Sequence, residues 1–439
     1  MKKDKDVYIW GCGTLARRYI KQLPNEIEIK GIIDSDIKKR GLTGIIHNGK
    51  ELNCVKDDLK ETDFVIIAVE NPHVANSISK ILDKRRIEWN HIYKVVDDAF
   101  LQKGNYLKGK RKSDGIVKFV DVMVPTSKCN LQCYYCYLSH LEVNFDNVSD
   151  LYHDAKYIRH ALSQERLGGS AFINLCGVGE TLLCDKILDI TRELINEGHY
   201  VQIVTNATPE SYIKSFVHSD IDSSHLFFKC SLHYEELKKK NLLSKFAYNV
   251  RLLDEWGASF SVEYVPMDES VKLISEIKEY SMENFGALPH VTVTRDERYR
   301  DFRPLTKYTL DEYKKIWGVF ESEMFQFKID YVMNPQKHYC MAGLWSAELN
   351  LATGDLFQCT NNPRIGNIYQ DIDKNIEFKE VGNECCLPYC FNSHAYLTFG
   401  LMPGYETPTY LDMRDRIRKD GSHWIKGELR NVFSQKLGN

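Results

Sequence analysis

The sequence predicts an α/β protein with three parts: a doubly wound parallel sheet, a partial parallel barrel and a small cysteine-rich domain. Short apolar segments alternate with helical patterns over residues 1–100 and again over 116–330, which is typical of parallel sheets. The alternation stops near residue 331, where short segments punctuated by Cys, Gly and Pro begin. Eight of the 13 cysteines fall within 129–136 and 340–390, and this clustering indicates metal ligation.

Composition narrows the class of protein. The chain has 439 residues, 43% of them apolar and 27% charged, which is enough for two or three globular domains. Its net charge of −3 gives no support for a nucleic-acid or membrane partner. The N-terminal MKKDKDVYIWGCG lacks the apolar segment of a signal peptide, and no stretch has the length and apolarity of a membrane span. We therefore expect a cytoplasmic protein, in which thiols are favoured over disulfides.

The first hundred residues alternate between strands and helices. DVYIWG, EIKGIID, DFVIIAVEN and HIYKVV predict strands, whereas TLARRYIKQL and PHVANSISKILDKRR predict helices. Gly11, Gly13 and Ala16 lie between the first strand and the first helix in the pattern G-x-G-x-x-A, and Asp34 ends the next strand. These positions predict a Rossmann-like domain in which Gly11 and Gly13 approach a phosphate and Asp34 a ribose of a nucleotide.

The pattern YIWGCGTLARRYI, followed by GIIDSD and DFVIIAVENP, resembles the N-terminal domains of bacterial sugar acyltransferases and the C-terminal domains of some sugar methyltransferases. This resemblance implies a nucleotide-linked sugar or a substrate-docking role. A scaffold that binds nothing is an equal alternative. The basic stretch 101–115 is the expected linker to the next domain.

Six apolar segments predict the strands of a partial barrel over 116–330. They are FVDVMVP, AFINLCG, YVQIVTN, LFFKCSL, FSVEYVP and HVTVT, and helical patterns separate them. Six strand–helix units are too few for a complete eight-fold barrel, so we expect a (βα)6 barrel. Functional sites of such barrels lie at the carboxyl ends of the strands, and the first cysteine group directly follows the first strand.

Cys129, Cys133 and Cys136 have the spacing C-x3-C-x2-C on one short loop. Three thiolates can bind three irons of a [4Fe–4S] cluster and leave the fourth iron open to an external ligand, because such clusters normally use four cysteines. The alternative is a zinc site, for which His140 is the nearby fourth ligand.

This spacing, with the aromatic Tyr135 before the last cysteine, resembles the radical S-adenosylmethionine (radical SAM) superfamily over about 116–300. The resemblance implies that S-adenosylmethionine (SAM) binds the open iron. The reduced cluster then cleaves it to a 5′-deoxyadenosyl radical, which abstracts hydrogen from a substrate. The implied electron donor is a flavodoxin or ferredoxin, and Tyr135 is placed beside the cofactor.

The resemblance extends to residues at later strand ends. Gly177, Gly179 and Glu180 correspond to the Gly-Gly-Glu segment that contacts the amino group of SAM, although Val178 replaces one of its glycines. A plain surface carboxylate is the alternative for Glu180. The remaining cofactor-binding candidates of the barrel are Asn206, which ends the third strand, Ser231, which corresponds to a ribose-contacting serine, and Glu263, which could reach a ribose hydroxyl.

Period-two alternation places Lys229, Ser231 and His233 on one face of the fourth strand. Lys229 and His233 are therefore catalytic candidates that face the substrate, with a solvated strand end as the equal alternative. An epimerisation needs a thiol that returns hydrogen to the substrate radical. Cys230 and Cys176 are the candidates, and a buried inert cysteine is the alternative for each.

The second cysteine group contains Cys340, Cys359, Cys385, Cys386 and Cys390. Gly354 lies where a hairpin turn would bring Cys340 and Cys359 to one end. This arrangement, within a domain over 331–400 that a C-terminal extension over 401–439 follows, resembles the twitch or SPASM extension of radical SAM enzymes. It implies one auxiliary [4Fe–4S] cluster, since five cysteines are too few for two. The expected ligands are Cys340, Cys359, Cys390 and one of Cys385 or Cys386, and zinc on four of these thiols is the alternative.

The sequence therefore predicts a radical SAM oxidoreductase or epimerase that acts on a carbohydrate or another small polar substrate, including nucleotide-linked ones. The alternative is a maturase that modifies a ribosomally made peptide. A third class, a non-catalytic nucleotide-binding regulator with zinc sites, leaves the first cysteine loop without a fourth ligand.

Overall fold

Strands and helices alternate along the chain and build two separate sheets in the computed structural model. The structure describes residues 6–21, 23, 25, 27–36, 40–69, 72–87, 92–95, 115–136, 151–296, 304–332, 338–359, 364–383, 385, 390, 392–403 and 405–438. Contacts divide the chain into two units. The first comprises Met1–Gly104, Pro335–Lys337 and Asn383–Pro388, and the second comprises the other residues. The expected linker 101–115 lies outside the described residues apart from Gly115.

The first unit is built on a mainly parallel sheet with a helix on each face. Its elements are β1 (Val7–Trp10), α1 (Thr14–Ile20), β2 (Ile29–Ile33), β3 (Gly41–His47), β4 (Lys50–Cys54), β5 (Phe64–Ile67), α2 (Pro72–Lys84) and β6 (Ile92–Lys94). Within its described part the strand order is β3-β4-β2-β1-β5-β6. Leu15 of α1 packs with Ile9 on one face, and Ile78 of α2 packs with Trp10 on the other. The adjacent residues Ile9 and Trp10 of β1 thus belong to the apolar cores on opposite faces of the sheet. The predicted doubly wound sheet is confirmed.

A hairpin lies where the sequence analysis predicted no strands. β3 and β4 pair antiparallel, whereas the other neighbours in this sheet are parallel. Asn48 and Gly49 connect them with φ angles of 50° and 73°. Positive φ at both positions is the requirement of a type I′ turn, for which Asn-Gly is a preferred pair. The dipeptide was therefore a usable sequence signal.

The second unit begins with the predicted barrel. β7 (Lys118–Val124), β8 (Ala171–Gly177), β9 (Tyr200–Thr205), β10 (Leu226–Leu232), β11 (Ser259–Tyr264) and β12 (His290–Val291) pair in parallel in chain order. The helices among and after them are α3 (Ala155–Ala161), α4 (Gln164–Leu167), α5 (Ile187–Asn196), α6 (Glu210–Val217), α7 (Tyr234–Lys239), α8 (Leu243–Glu255), α9 (Ile274–Phe285), α10 (Leu310–Trp317) and α11 (Glu323–Phe327). A π-helical turn, Lys328–Val332, continues α11. All six predicted barrel strands are confirmed.

Three further strands extend the barrel sheet beyond β7. They are β13 (Ser346–Asn350), β14 (Asp355–Phe357) and β15 (Arg364–Asn367), and the helices after them are α12 (Ser393–Tyr396), α13 (Tyr410–Arg414) and α14 (Gly427–Phe433). β13 pairs in parallel with β7, and β14 and β15 add antiparallel. The turn between β13 and β14 contains Gly354 at φ 75°, as the expected hairpin requires.

Aromatic rings fill the barrel at the amino ends of its strands. Phe119, Phe172 and Phe227 lie near the starts of β7, β8 and β10. The ring of Phe433 from α14 lies 4.8 Å from that of Phe172 and 5.3 Å from that of Phe227, between centroids. Tyr410 from α13 lies 5.6 Å from Phe172. The C-terminal helices therefore close this end of the barrel with a cluster of rings, here called the aromatic plug.

Truncating the plug at its centre is expected to destabilise the second unit. Phe172 is fully buried, so Phe172→Ala removes a ring and leaves a cavity, which costs about 3–5 kcal/mol of unfolding free energy. Tyr152→Ala is the control, because Tyr152 is 93% exposed. Urea unfolding followed by circular dichroism measures both. Equal stability of the two variants would contradict the role of the plug.

Candidate active site

The carboxyl ends of the barrel strands surround a cavity of about 460 Å³. This volume is typical of sites for small molecules, and the location is the one expected for a parallel barrel. The predicted residues that line it are Cys129, Cys133, Tyr135, Cys136, Cys176, Gly177, Gly179, Glu180, Asn206, Lys229, Ser231 and His233. These residues belong to four different strands and the loops that follow them, and the fold brings them together around one cavity.

The first cysteine group lies on the loop after β7. Cys133 is buried, and Cys129 and Cys136 are half-buried. Burial raises the pKa of Cys129 to about 11 and that of Cys133 to about 12. Both thiols therefore keep their protons unless a cation stabilises the thiolates, and the irons of a cluster supply such charge. The donor set fits a cluster in which each thiolate binds a different iron.

A single metal ion is not indicated by the same residues. Within the ranges that the structure describes, no three Cys, His, Asp or Glu side chains gather around a position for one ion. The zinc alternative depended on His140, which lies outside the described residues.

A close backbone contact fixes the start of the cysteine loop. The amide of Gly179 donates to the carbonyl oxygen of Thr126 (2.7 Å), and the amide of Glu180 donates to that of Lys128 (2.8 Å). A Cβ atom on Gly179 would lie 2.3 Å from the Lys128 oxygen, which no side chain tolerates. Glycine is required here because the backbone of 177–180 presses against the residue that precedes Cys129.

Glu180 ties this turn to the next strand. Its Oε1 accepts from the Thr205 hydroxyl (2.6 Å) and the Leu182 amide (3.0 Å), and its Oε2 accepts from the Asn206 amide (2.6 Å). The residue is 3% exposed, and burial raises its pKa to about 7. The alternative of a surface carboxylate is therefore wrong. The amide nitrogen Nδ2 of Asn206 lies 3.9 Å from the sulfur of Cys129, so the same network reaches the cysteine loop.

The alternation predicted for the fourth strand is confirmed. Lys229, Ser231 and His233 line the cavity, while Cys230 is fully buried in the apolar core shared with the helices. The proposal of Cys230 as a catalytic thiol was thus wrong, because its side chain points to the other face of β10. Cys176 does line the cavity.

Burial governs the titration of the residues on β10. It lowers the pKa of Lys229 to about 8 and that of His233 to about 4. His233 is therefore neutral at pH 7, and its Nδ1 shares a hydrogen bond of 2.9 Å with the Tyr135 hydroxyl. This bond links the cysteine loop to the fourth strand.

Glu263 does not lie where a ribose contact would need it. Its carboxylate, 4% exposed, pairs with Arg414 from α13 and with Lys229, whose Nζ lies 3.3 Å from Oε2. Glu263 is absent from the lining of the cavity. The predicted cofactor contact is therefore replaced by a buried ion pair that supports Lys229. No sequence pattern indicates Arg414 as the partner, because it lies 151 residues away along the chain.

A layer of polar side chains that lines the cavity was missed by the sequence analysis. Asn174 and Asn392 each donate to the Asp121 carboxylate at 2.7 Å, and Gln202 donates to the side-chain oxygen of Asn174. Asp121, Asn174 and Gln202 interrupt the apolar segments of three consecutive strands at inward positions. Polar residues at matching inward positions of three strands could therefore have been recognised in the sequence as part of the site. Three lining residues outside the barrel strands were also missed, namely Arg295, Lys328 and His394. No pattern in the sequence marks them as lining residues.

The cysteines of the second group are distributed over both units. Cys340 precedes β13 and Cys359 follows β14, and both belong to the second unit together with Cys390. Cys385 is assigned to the first unit, and Cys386 lies outside the described residues. The auxiliary cluster stays a prediction.

The glycine motif of the first unit has the predicted local geometry. Gly11 has φ 118°, and a Cβ there would lie 2.5 Å from the carbonyl oxygen of Ala68. Asp34 at the end of β2 accepts a hydrogen bond from the Cys12 amide (3.0 Å). Gly13 has open space around it. Gly11, Gly13 and Asp34 are thus brought together, and Asp34 holds the glycine loop; nucleotide binding stays a prediction.

The site combines a three-cysteine loop after the first strand of a six-stranded parallel barrel with a Gly-x-Gly-Glu turn packed directly against it. The structure therefore brings together the two segments on which the resemblance to the radical SAM superfamily was based. The expectation of an α/β fold with a parallel barrel is confirmed by the strand order itself.

Comparisons with known proteins find similarity in solved structures. No protein-family model and no curated protein sequence matches the chain. Streptococcus suis SuiB bound to S-adenosylmethionine matches at 18% identity and a TM-score of 0.41, over 59% of this chain and 65% of SuiB, which is less than two thirds. The enzyme anSMEcpe with bound AdoMet matches at 16% identity and a TM-score of 0.40, over 57% of this chain and 78% of that one. BtrN in complex with AdoMet and 2-DOIA matches at 15% identity and a TM-score of 0.28, over 59% and 81%.

Among the helices in the part of the chain that the structure describes, none combines the length and the apolar character needed to cross a bilayer.

Gly179→Ala is expected to displace the cysteine loop. The new Cβ collides with backbone atoms of residues 127 and 128, so the cost exceeds that of an ordinary glycine substitution, at about 2–4 kcal/mol. Gly318→Ala is the matched control, because that position has no atom within 4 Å of a Cβ. Urea midpoints and iron content after reconstitution measure the effect. Equal values for the two variants would show that the contact does not fix the loop.

Acid is expected to destabilise the second unit partly through His233. Its pKa of about 4 in the folded chain lies below the ordinary 6.5, so the unfolded chain binds more protons. The stability that this histidine contributes is complete above pH 6.5 and is lost as the pH falls towards 4. Between pH 7 and 5 the loss amounts to about 2 kcal/mol.

His233→Gln removes this titration while keeping a polar group beside Tyr135. The difference in urea midpoint between pH 7 and pH 5 is expected to shrink in this variant. His160→Gln, at a residue whose side chain is 57% exposed, is the control and should keep the wild-type difference. An unchanged difference in the His233 variant would refute the assignment.

Proposed function

We propose that this chain is a radical SAM enzyme whose cluster is held by Cys129, Cys133 and Cys136. One observation carries the proposal: three cysteines with the C-x3-C-x2-C spacing line the same cavity as the strand-end residues predicted to bind SAM. When bound, the cluster and SAM supply a 5′-deoxyadenosyl radical that abstracts hydrogen from a substrate carbon. The protein positions the reactants and excludes water.

The residues around the cysteines are arranged for that positioning. The 177–180 turn presents backbone groups to the cavity and corresponds to the segment that binds the amino group of SAM. Glu180 holds the turn rather than reaching a ligand freely, since its carboxylate accepts three hydrogen bonds from the protein. Ser231 and Asn206, on neighbouring strand ends, complete the expected SAM site. Electrons come from a flavodoxin or ferredoxin.

The proposed reaction is oxidation or epimerisation of a carbohydrate or another small polar substrate. Lys229 and Asp121 offer polar contacts at the inner side of the cavity, which suits hydroxyl groups. In an epimerisation Cys176 would return the hydrogen atom, and the thiyl radical left on its sulfur would be reduced by one electron from the same flavodoxin or ferredoxin and one proton. Burial raises the pKa of this thiol to about 12, so it retains the S–H bond that such a step requires.

In an oxidation an auxiliary [4Fe–4S] cluster would accept the second electron. We assign it to Cys340, Cys359, Cys390 and one of Cys385 or Cys386, as the sequence predicts. A twitch or SPASM domain of this kind is supported by the hairpin at Gly354, which the structure contains. The Rossmann-like unit would dock a nucleotide-linked part of the substrate. The alternative substrate is a ribosomally made peptide.

Iron content is the first test. After anaerobic reconstitution we expect about eight irons per wild-type chain and about four in a Cys129→Ala/Cys133→Ala/Cys136→Ala variant. The variant should also stop forming 5′-deoxyadenosine from SAM under reducing conditions. A Cys54→Ala/Cys184→Ala variant is the control, because both cysteines are buried away from the cavity and should leave the iron content unchanged.

The other outcomes separate the parts of the proposal. About four irons in the wild type and none in the triple variant would refute the auxiliary cluster and support the SAM-binding cluster. Zinc in place of iron in the wild type would refute the radical SAM assignment. Turnover of a peptide, with no turnover of nucleotide-linked sugars, would replace the carbohydrate substrate by the alternative.

A further inference from the structure

One side chain of the cysteine loop contacts a cysteine of the same loop. Tyr135 is 6% exposed and lines the cavity, and its side chain forms a hydrogen bond with the side chain of Cys133. The amide of Cys136 donates to the carbonyl oxygen of Cys133 (3.0 Å), so Tyr135 belongs to a turn that the backbone closes. The phenol therefore lies beside a sulfur that the proposed cluster would use.

The Tyr135 hydroxyl has a second partner at the end of the fourth strand. Nδ1 of His233 lies 2.9 Å from it, and the centroids of the two rings are 5.8 Å apart. The first turn of α7 fixes the backbone of His233, because its carbonyl oxygen accepts from the Leu237 amide (2.9 Å). One hydroxyl is thus shared by an imidazole nitrogen and a cysteine sulfur.

The chemistry of the three groups decides the direction of both hydrogen bonds. A cysteine sulfur that binds iron is a thiolate, which has no hydrogen and can only accept. The phenol has one hydrogen, which a tyrosine keeps at neutral pH. The Tyr135 hydroxyl must then donate to the Cys133 sulfur and accept from Nδ1–H of His233. This assigns the Nδ1–H tautomer to the imidazole.

Hydrogen bonds to the sulfurs are among the features that set the reduction potential of an iron–sulfur cluster. Reduction adds one electron, which the flavodoxin or ferredoxin supplies, and makes the cluster with its thiolates more negative by one charge. A hydrogen-bond donor at a sulfur therefore stabilises the reduced form more than the oxidised form.

We propose that the Tyr135 hydroxyl, positioned by His233, donates to the Cys133 sulfur and raises the reduction potential of the SAM-binding cluster. This inference rests on the proposed function, since it concerns the cluster of the same three cysteines. It gives Tyr135 a role in electron uptake, and it makes His233 a positioning residue that acts through the tyrosine.

Tyr134 offers a matched control one residue away. Its side chain is 57% exposed, and its hydroxyl donates to Oε2 of Glu269 (2.7 Å). Tyr134→Phe and Tyr135→Phe therefore remove the same atom from the same loop. The first loses a hydrogen bond at the surface, whereas the second loses the hydrogen bond to Cys133.

Redox titration of the anaerobically reconstituted enzyme, followed by electron paramagnetic resonance, tests the proposal. The SAM-binding cluster is identified as the one whose spectrum changes when SAM is added. In Tyr135→Phe we expect the equilibrium constant for its reduction to fall about tenfold, because a charge-assisted hydrogen bond is lost. For one electron this corresponds to a potential that is lower by about 59 mV. Tyr134→Phe should keep the wild-type potential.

His233→Leu tests the positioning role and leaves the cysteine loop unchanged. The potential should fall in the same direction by a smaller amount, because the hydroxyl remains but Nδ1 no longer holds it. Since His233 acts through the hydroxyl, the double variant Tyr135→Phe/His233→Leu should have the potential of Tyr135→Phe alone. A further fall in the double variant would refute the positioning role.

The remaining outcomes distinguish this inference from the proposed function. A wild-type chain without iron, or with clusters that SAM leaves unchanged, would refute the proposed function. A SAM-responsive cluster with equal potentials in the wild type and Tyr135→Phe would refute the role of Tyr135 alone, as would equal shifts in the two tyrosine variants. If Tyr135→Phe does not assemble the cluster, His233→Leu decides, and a wild-type potential in that variant would refute the inference.

Discussion

The contact between the backbone of residues 177–180 and that of 126–128 is the constraint on which the site depends. Two hydrogen bonds join the ends of β7 and β8, and the approach is so close that only glycine fits at 179. Through this contact the position of the second strand determines where the cysteine loop begins. Glu180 then carries the constraint to β9, because its carboxylate holds the amide of Asn206. These contacts thus hold three adjacent strand ends in one arrangement.

Local rules account for what the sequence could predict. The alternation of strands and helices predicted six parallel barrel strands, and period-two alternation placed Lys229, Ser231 and His233 in the chamber. The same rule, applied to Cys230, would have excluded it. The Asn-Gly turn of the first unit was likewise readable, since its positive φ angles follow from the residue types.

Long-range pairing accounts for what the sequence could not predict. Glu263 was assigned to a ribose because its strand position is suitable, but Arg414 neutralises it from a helix that lies far along the chain. Arg295, Lys328 and His394 reach the chamber from segments without strand periodicity. Their convergence depends on tertiary packing, which propensity and spacing do not encode. Burial of a charged residue does not by itself indicate that it binds a ligand. Glu263 and Arg414 are both buried, and each charge is tolerated because the other is present.

The aromatic plug has a consequence for biosynthesis. The rings of Tyr410 and Phe433 are translated after all the strands whose interior they fill. A nascent chain that has completed the barrel strands therefore still exposes Phe119, Phe172 and Phe227 to water, and such transient apolar surface invites aggregation. Until the plug arrives, the hydrogen bond between Tyr410 and Gln202 is also missing from the chamber floor. The interior of the barrel is therefore completed only after the two C-terminal helices have been translated.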